Sequence, residues 1–161
     1  MILWKDLLEK WGLSSLKLKA PFLELEFKPN DITRQAAWSL YVELITRVAT
    51  QPLADDEGEE LTALSSLYSL FATTREVLRR AGPTSIELAY IAVPFLNQVV
   101  RPFTSKWHNS LEHDSLKSDP TAKSKFRADL KLIRKLILGY TDLMGELAGI
   151  ESDTLLKLSS N

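Results

Sequence analysis

Residues 85–108 limit the possible folds of this chain more than any other part of the sequence. Apolar side chains recur along this stretch at three- and four-residue spacings, the period of a helix face. That face comprises Leu88, Ile91, Ala92, Phe95, Val99 and Phe103, and Leu96, Val100 and Trp107 widen it. A helix that is apolar around most of its circumference belongs in a protein interior. We therefore predict a central helix, which Pro94 and Pro102 should bend because neither has a backbone N–H.

The first thirty residues change from a helical to an alternating pattern. Residues 1–11 have the spacing of a short amphipathic helix, which Gly12 is expected to end. Residues 16–19 and 22–27 then alternate apolar with charged side chains, which favours two half-buried strands. The sequence therefore predicts a short N-terminal helix followed by a small β-hairpin.

Three more long helices are indicated by apolar periodicity and by their end signals. Asp31 is the expected N-cap of the first, Gly82-Pro83 ends the second, and Asp119-Pro120 starts the last. Together with the central helix, they are expected at 31–51, 57–81, 85–108 and 120–149. The fold class is therefore mainly α: a bundle of four long helices behind the short helix and the hairpin.

Length and composition place the chain among globular proteins. Its 161 residues, 45% apolar and 25% charged, suffice for one domain with its own core. We expect that domain to span 1–161, with the short helix and hairpin in 1–30, the bundle in 31–149 and a tail in 150–161.

The remaining composition excludes several classes of function. Without cysteine there are no disulfides, thiolate metal sites or cysteine nucleophiles. The formal net charge of −1 gives no overall attraction to nucleic acid or to an anionic membrane. The longest unbroken apolar run, 89–96, is too short to span a membrane, and the start is too charged for a signal peptide. We therefore expect a cytoplasmic protein without membrane association.

Signatures of catalysis and of cofactor binding are missing from the sequence. There is no glycine-rich phosphate loop and no dinucleotide fingerprint. His108, Glu112 and His113 form the one candidate metal cluster, but their spacing matches no zinc pattern. No set of histidine, carboxylate and nucleophile can be assembled from spacing. We predict no enzyme activity, no metal and no cofactor.

A polar stripe interrupts the apolar central helix. Asn97, Arg101, Thr104 and His108 recur at spacings of four, three and four, which places them on one helix face. Arg75 lies in the apolar face of the preceding helix and is expected to approach this stripe.

This polar stripe has two interpretations. It is either a buried network that fixes helix register, with both arginines held by carbonyls, Glu43 or Glu87 and with Trp107 beside them. Or it is a pocket for an anion, such as a nucleotide or a partner's carboxylate, because guanidinium groups recognise paired oxygens. The candidate ligand- or partner-binding residues are Arg75, Asn97, Arg101, Trp107 and His108.

A second set of basic residues lies on the last helix. Lys123, Arg127, Lys131 and Arg134 share a face opposite the apolar one. Such a stripe is typical of a solvated surface, but it also suits a phosphate backbone or an acidic partner. The acidic run 55–60 offers a complement to it in self-association.

Three stretches resemble a known group of proteins: ITRQAAWSLYVELITRVATQPL, LSSLYSLFATTREVLRR and AVPFLNQVVRPFTSKWH. They are similar to a family of small, uncharacterised, all-helical bacterial proteins associated with multi-gene conflict or antiphage operons. The resemblance covers residues 31–108 and includes Arg101-Pro102 and Trp107-His108. It implies an accessory or regulatory partner of a larger effector, and it carries over no catalytic residue.

The leading hypothesis is a non-enzymatic protein-interaction module, an adaptor or accessory subunit that binds another protein and could form homo-oligomers. One alternative is a nucleic-acid-binding subunit that uses the basic face of the last helix. A second is a sensor that binds an anionic small ligand within the bundle.

Overall fold

The computed structural model describes residues 1–47, 60–113 and 115–150, with backbone only at 110–113 and 115. The chain is mainly helical, and these residues form no β-strand. Its helices are α1 (Trp4–Lys10), α2 (Ala20–Leu23), α3 (Asp31–Ile45), α4 (Glu60–Ala81), α5 (Ile86–Phe95), α6 (Arg101–His113), α7 (Ser115–Ser118) and α8 (Pro120–Leu147). A 3-10 turn, Pro83–Ser85, precedes α5, and a π-helical segment, Leu96–Val100, joins α5 to α6.

Some ends of the long helices follow the predicted signals, but α3 ends at Ile45 and not at residue 51, because Thr46 is its C-cap. Asp119 caps α8 as predicted, since its Oδ1 accepts a hydrogen bond from the Thr121 N–H at 2.9 Å. Gly82 follows α4 with a φ of +73°, a conformation that favours glycine. At α3 the prediction was wrong by one residue, because Asn30 Oδ1 accepts the Thr33 N–H at 2.8 Å and is the N-cap. Residues 48–59, which include most of the acidic run, lie outside the described part.

The predicted β-hairpin was wrong. Ala20–Leu23 forms a helical turn instead, with Pro21 in its first turn, where a missing N–H loses no helix hydrogen bond. Phe22 is buried and Leu25 is exposed, so the alternation in the sequence does not correspond to alternating burial.

The segment after α2 pairs with the start of the chain. Leu3 and Glu26 form an isolated antiparallel bridge, and the Phe27 N–H donates to the Ile2 carbonyl at 2.7 Å. Trp4 explains this arrangement: its buried ring contacts Phe22 and Phe27, with centroids 4.8 and 5.0 Å away. Packing around one indole therefore replaces the predicted strand pairing.

The central helical segment is buried as predicted, but it is longer and less regular. Its core residues are Leu88, Ile91, Ala92, Phe95, Leu96, Val100, Phe103 and Trp107. The predicted end of the central helix at residue 108 was wrong, because α6 continues to His113 and α7 follows. Between the two prolines the helix adopts π geometry, in which the Arg101 N–H donates to the Leu96 carbonyl, five residues back.

Helix α8 contacts α3, α4, α6 and α7, and its buried face is continuous from Phe126 to Leu147. Phe95 of α5 stacks on Tyr140 with centroids 3.9 Å apart. Phe126 contacts Phe103 and Trp107 of α6 at 5.3 and 5.2 Å. Aromatic contacts therefore hold both halves of the central segment against α8.

Helix α1 also docks on α8, at a site the sequence analysis did not identify. Glu146 accepts hydrogen bonds from Lys10 Nζ at 3.0 Å and from Trp11 Nε1 at 2.5 Å. Gly139 is buried directly beneath the Trp11 backbone, where a Cβ atom would overlap the Trp11 carbonyl oxygen. Close approach of the two backbones thus requires glycine at this position.

We expect Gly139→Ala to destabilise the protein although alanine favours helix by about 1 kcal/mol. The added methyl must push α1 away from α8, and such overpacking costs about 1–3 kcal/mol. Urea denaturation measures the difference in the free energy of unfolding. Ser124→Ala, at an exposed position of the same helix, is the control and should be neutral or slightly stabilising. A Gly139→Ala variant as stable as Ser124→Ala would contradict this docking.

Candidate partner-binding groove

A groove runs between α4 and the central helical segment. It consists of two adjoining cavities of about 340 and 470 Å³, both lined by Phe71, Arg75 and Arg101. The described residues that line them include four basic side chains and no aspartate or glutamate. We call this feature the cationic groove and define it by Arg75, Arg79, Arg101 and His108.

Arg75 does not lie in the core. It is exposed, whereas its neighbour Thr74 is only 2% exposed and takes the core-facing position. The expectation of a buried guanidinium was therefore wrong. The reason is that Phe71 and Leu78, which flank Arg75 on the apolar stripe, are only half-buried, so this flank of α4 faces the groove.

Arg101 is exposed as well, and its side chain is held in place. Its guanidinium carbon lies 4.7 Å from the centroid of the Phe71 ring, within the range of a cation–π contact. Its Nε–H donates to Asn97 Oδ1 at 3.1 Å. The expected partners, backbone carbonyls or a carboxylate, were wrong for Arg101, since the side-chain amide oxygen of Asn97 and the face of Phe71 take their place.

His108 lies at the other end of the groove. The Tyr68 hydroxyl donates to the Thr104 carbonyl at 3.0 Å and lies 2.9 Å from His108 Nδ1. Because a hydroxyl has one hydrogen, Nδ1 is then the donor in the second contact. Thr104 itself is buried, and its hydroxyl oxygen lies 3.2 and 3.1 Å from the carbonyl oxygens of Val100 and Arg101, either of which can accept its single hydrogen.

Trp107 is separate from the other candidate residues. Its ring is buried against Phe126, and its Nε1 donates to Asp129 Oδ2 at 3.2 Å. Lys106 Nζ contacts the same carboxylate oxygen at 2.6 Å. The structure thus brings Arg75, Asn97, Arg101 and His108 to one groove, while Trp107 points towards α8.

The arginines of the groove lack acidic partners within the described chain. Glu43, one of the carboxylates expected to hold them, pairs with Arg47 on its own helix at 3.0 Å. The side chains of Arg75 and Arg79 form no hydrogen bond or ion pair with a described residue. Positive charge therefore collects in the groove and remains available to an anion.

The basic face of α8 is only partly available to solvent. Arg127 Nε contacts Glu60 Oε1 at 2.8 Å, with side chains 20% and 10% exposed. Arg134 is half-buried, and burial lowers the pKa of its guanidinium. Lys123 is half-buried and only Lys131 is fully exposed, so the four residues do not form one uniform solvated stripe.

Glu60 is held in its charged form by this pair. Burial alone would raise the pKa of the Glu60 carboxyl, but the hydrogen bond from Arg127 and the positive charges of Arg127 and Lys123 outweigh it. The pKa is therefore lower than the ordinary value of 4.5. Because the folded state binds its proton more weakly, the pair stabilises the fold above that pH and ceases to do so as the pH falls through the folded value.

We expect Glu60→Gln to lower the free energy of unfolding by about 1–3 kcal/mol at neutral pH, since a charged hydrogen bond is replaced by a neutral one. The difference from wild type should shrink as the pH falls below 4.5 and through the lowered pKa of the folded state. Chemical denaturation at a series of pH values measures it. Glu76→Gln removes an exposed ion pair with Arg80 and should cost less than about 1 kcal/mol. Equal losses in the two variants, or a loss independent of pH, would contradict this assignment.

The described residues contain no cluster that could hold a metal ion. Of the three residues weighed as ligands, His108 lies in the groove, and the side chains of Glu112 and His113 lie outside the described part. Nor is any described helix both long and apolar enough to cross a membrane.

A second surface was not anticipated from the sequence. Ile32, expected on the buried face of α3, is 41% exposed, and Trp38 is 43% exposed. Both line a shallow cavity of about 940 Å³ between α3 and α4, with Val42 and Val77. Trp38 follows the buried Ala37, so it lies beside the apolar face of α3. A large apolar side chain at the edge of that face is the sequence signal that could have revealed this second surface.

The fold and the groove define a small, mainly helical protein with a solvent-open cationic cleft. Comparisons with models of known protein families, with curated proteins and with solved structures found no match for the chain.

The exposure of Arg101 leads to a definite expectation about stability. A buried, networked arginine would cost several kcal/mol on truncation, but an exposed cation–π contact contributes only about 0.5–1 kcal/mol. We expect Arg101→Ala to change the free energy of unfolding by less than about 1 kcal/mol, as measured by thermal and urea denaturation. Trp107→Ala, which empties a buried site on the same helix, should cost about 3–5 kcal/mol. A large loss for Arg101→Ala would show that its side chain supports the fold.

Proposed function

We propose that this chain is a non-enzymatic protein-interaction module that binds an acidic segment of a partner protein in the cationic groove. The observation that carries the proposal is the set of three arginines, Arg75, Arg79 and Arg101, which line one groove whose described lining includes no acidic residue. Like charges that converge repel one another, and an anionic occupant removes that repulsion.

The shape of the groove favours a segment of a macromolecule over a small ligand. Its two cavities adjoin along the length of α4 and are open to solvent, so an extended occupant contacts both. Leu78, Val93 and Leu96 line the same groove beside the arginines. Apolar side chains next to charges are typical of a peptide-binding surface, where acidic residues give specificity and apolar ones give affinity.

Nucleic acid is a weaker match to this groove. Sequence-tolerant binding of single strands requires aromatic faces on which bases stack. The guanidinium of Arg101 already covers the Phe71 ring. On α8, the face proposed to track a phosphate backbone includes Arg127, which Glu60 engages.

The partner we propose is a larger effector in a bacterial system such as antiphage defence, with this chain as its accessory or regulatory subunit in the cytoplasm. The resemblance of residues 31–108 to small helical proteins of conflict operons supports this part of the proposal. The arginines that line the groove support the role of an interaction module independently of that resemblance.

The test is affinity capture from native extract with two variants of equal charge change. The groove variant carries Arg75→Glu, Arg79→Glu and Arg101→Glu. The α8 variant carries Lys125→Glu, Lys131→Glu and Lys135→Glu, all at exposed positions. We expect wild type and the α8 variant to retain a stoichiometric partner that the groove variant loses by at least about tenfold. Cross-links should place an acidic segment of that partner beside α4.

Three results would overturn the proposal. One is equal capture by both variants. Another is loss only in the α8 variant with sensitivity to nuclease, which would indicate nucleic acid as the ligand. The third is the absence of any stoichiometric protein from all captures. Circular dichroism and thermal denaturation of each variant confirm that a loss of binding is not a loss of fold.

A further inference from the structure

We propose that Arg101 is the anchor of the cationic groove: the outer edge of its guanidinium binds one oxyanion of the occupant, a carboxylate or a phosphoryl group, through two parallel hydrogen bonds. Asn97 and the π-helical segment are positioning elements for this edge. The proposal rests on the proposed function and specifies the chemical group that the groove recognises.

The orientation of the guanidinium is fixed on two of its sides. Its Nε–H is engaged by Asn97 Oδ1 at 3.1 Å, and one face lies over the Phe71 ring at 4.7 Å. A guanidinium has five N–H donors in one plane. With Nε–H occupied, the remaining four lie on the two terminal nitrogens, whose outer edge matches the two oxygens of a carboxylate or phosphate.

The preset orientation distinguishes Arg101 from the other arginines of the groove. A flexible side chain must lose rotamer freedom when it binds, and one that is already oriented loses less. The side chains of Arg75 and Arg79 form no hydrogen bond or ion pair with a described residue. They add positive potential that attracts an anion, whereas Arg101 adds a defined geometry.

The π-helical segment determines which way Arg101 faces. The Arg101 N–H donates to the Leu96 carbonyl five residues back, so the turn contains one residue more than an α-helical turn. Without that extra residue, Arg101 would be rotated by about 100° around the helix relative to α5. Its side chain would then lie away from Phe71 of α4. Such π-bulges occur frequently at functional sites, which agrees with a binding role for the residue it orients.

The described walls of the groove do not supply the occupant. The described residues that line the two cavities include no aspartate or glutamate. Among these residues, therefore, no carboxylate covers the outer edge of Arg101.

The experiment compares arginine with lysine at two positions. A lysine keeps the positive charge but cannot form two parallel hydrogen bonds. The probes are a short fluorescent peptide that alternates glutamate with leucine, and its counterpart with one glutamate replaced by phosphoserine. Fluorescence anisotropy measures Kd for wild type, Arg101→Lys, Arg75→Lys and Asn97→Ala. In parallel, the Nε–H signal of Arg101 in the full chain is followed by NMR during titration with each peptide.

We expect Arg101→Lys to weaken binding about tenfold and Arg75→Lys less than about threefold, because only the first loses a bidentate contact. Asn97→Ala should weaken binding by a factor of about three to five with an unchanged melting temperature, since it frees the guanidinium without altering charge. The tighter of the two peptides identifies the oxyanion as carboxylate or phosphoryl. The Arg101 Nε–H signal should shift saturably with that peptide.

Failure of this proposal is distinct from failure of the proposed function. If Arg101→Lys and Arg75→Lys weaken binding equally, Arg101 is not an anchor, although the groove still binds acidic partners by charge. If neither peptide binds wild type and the Arg101 signal does not move, the anchor is likewise excluded. The proposed function itself fails only if the charge-reversed groove variant captures the same partner as wild type.

Discussion

The π turn before Pro102, packed against α8 on both sides, is the constraint on which the centre of this structure depends. A residue that precedes proline usually avoids the α region, yet Arg101 has φ −60° and ψ −44° and stays helical. Its N–H donates to the carbonyl of Leu96, five residues back, which is the hydrogen bond of a π turn. Packing on both sides then prevents relaxation: Phe95 stacks on Tyr140, and Phe103 contacts Phe126. Because α8 fixes the positions of α5 and α6, the extra residue must be accommodated in the π turn between them.

The two sides of the same segment differ in their polar contacts. Towards α8, the carboxylate of Asp129 accepts hydrogen bonds from Lys106 and from the indole of Trp107. Towards α4, the described residues that line the two cavities include arginines and no acidic residue. On the solvent side water satisfies the guanidinium groups, so they remain available for binding.

Periodicity and end signals were enough to predict the long helices, because both are local. Helix α8, the last of the four long helices, illustrates this, because it begins at Asp119-Pro120 as predicted. Alternation at 22–27 misled, since the packing of Phe22 against Trp4 is tertiary and outweighs a weak strand preference. Only part of the candidate site could be predicted. Spacing placed Asn97, Arg101 and His108 on one helix face, but whether the arginines are buried or exposed could not be inferred from it. That depends on which flank of α4 meets solvent, and no spacing within one helix contains this information.

The separation of the two sides allows binding and stability to vary independently in this chain. The free energy of folding resides mainly in apolar burial, and most of the large buried side chains of the central segment face α8 or the interior. Exposed guanidinium groups contribute little to that energy, because water solvates them almost as well in the unfolded chain. Their convergence therefore carries no advantage for the fold and a small repulsive cost. A cluster that does not stabilise its own protein can change without loss of the fold, and the acidic segment that we propose as its occupant would remove the repulsive cost.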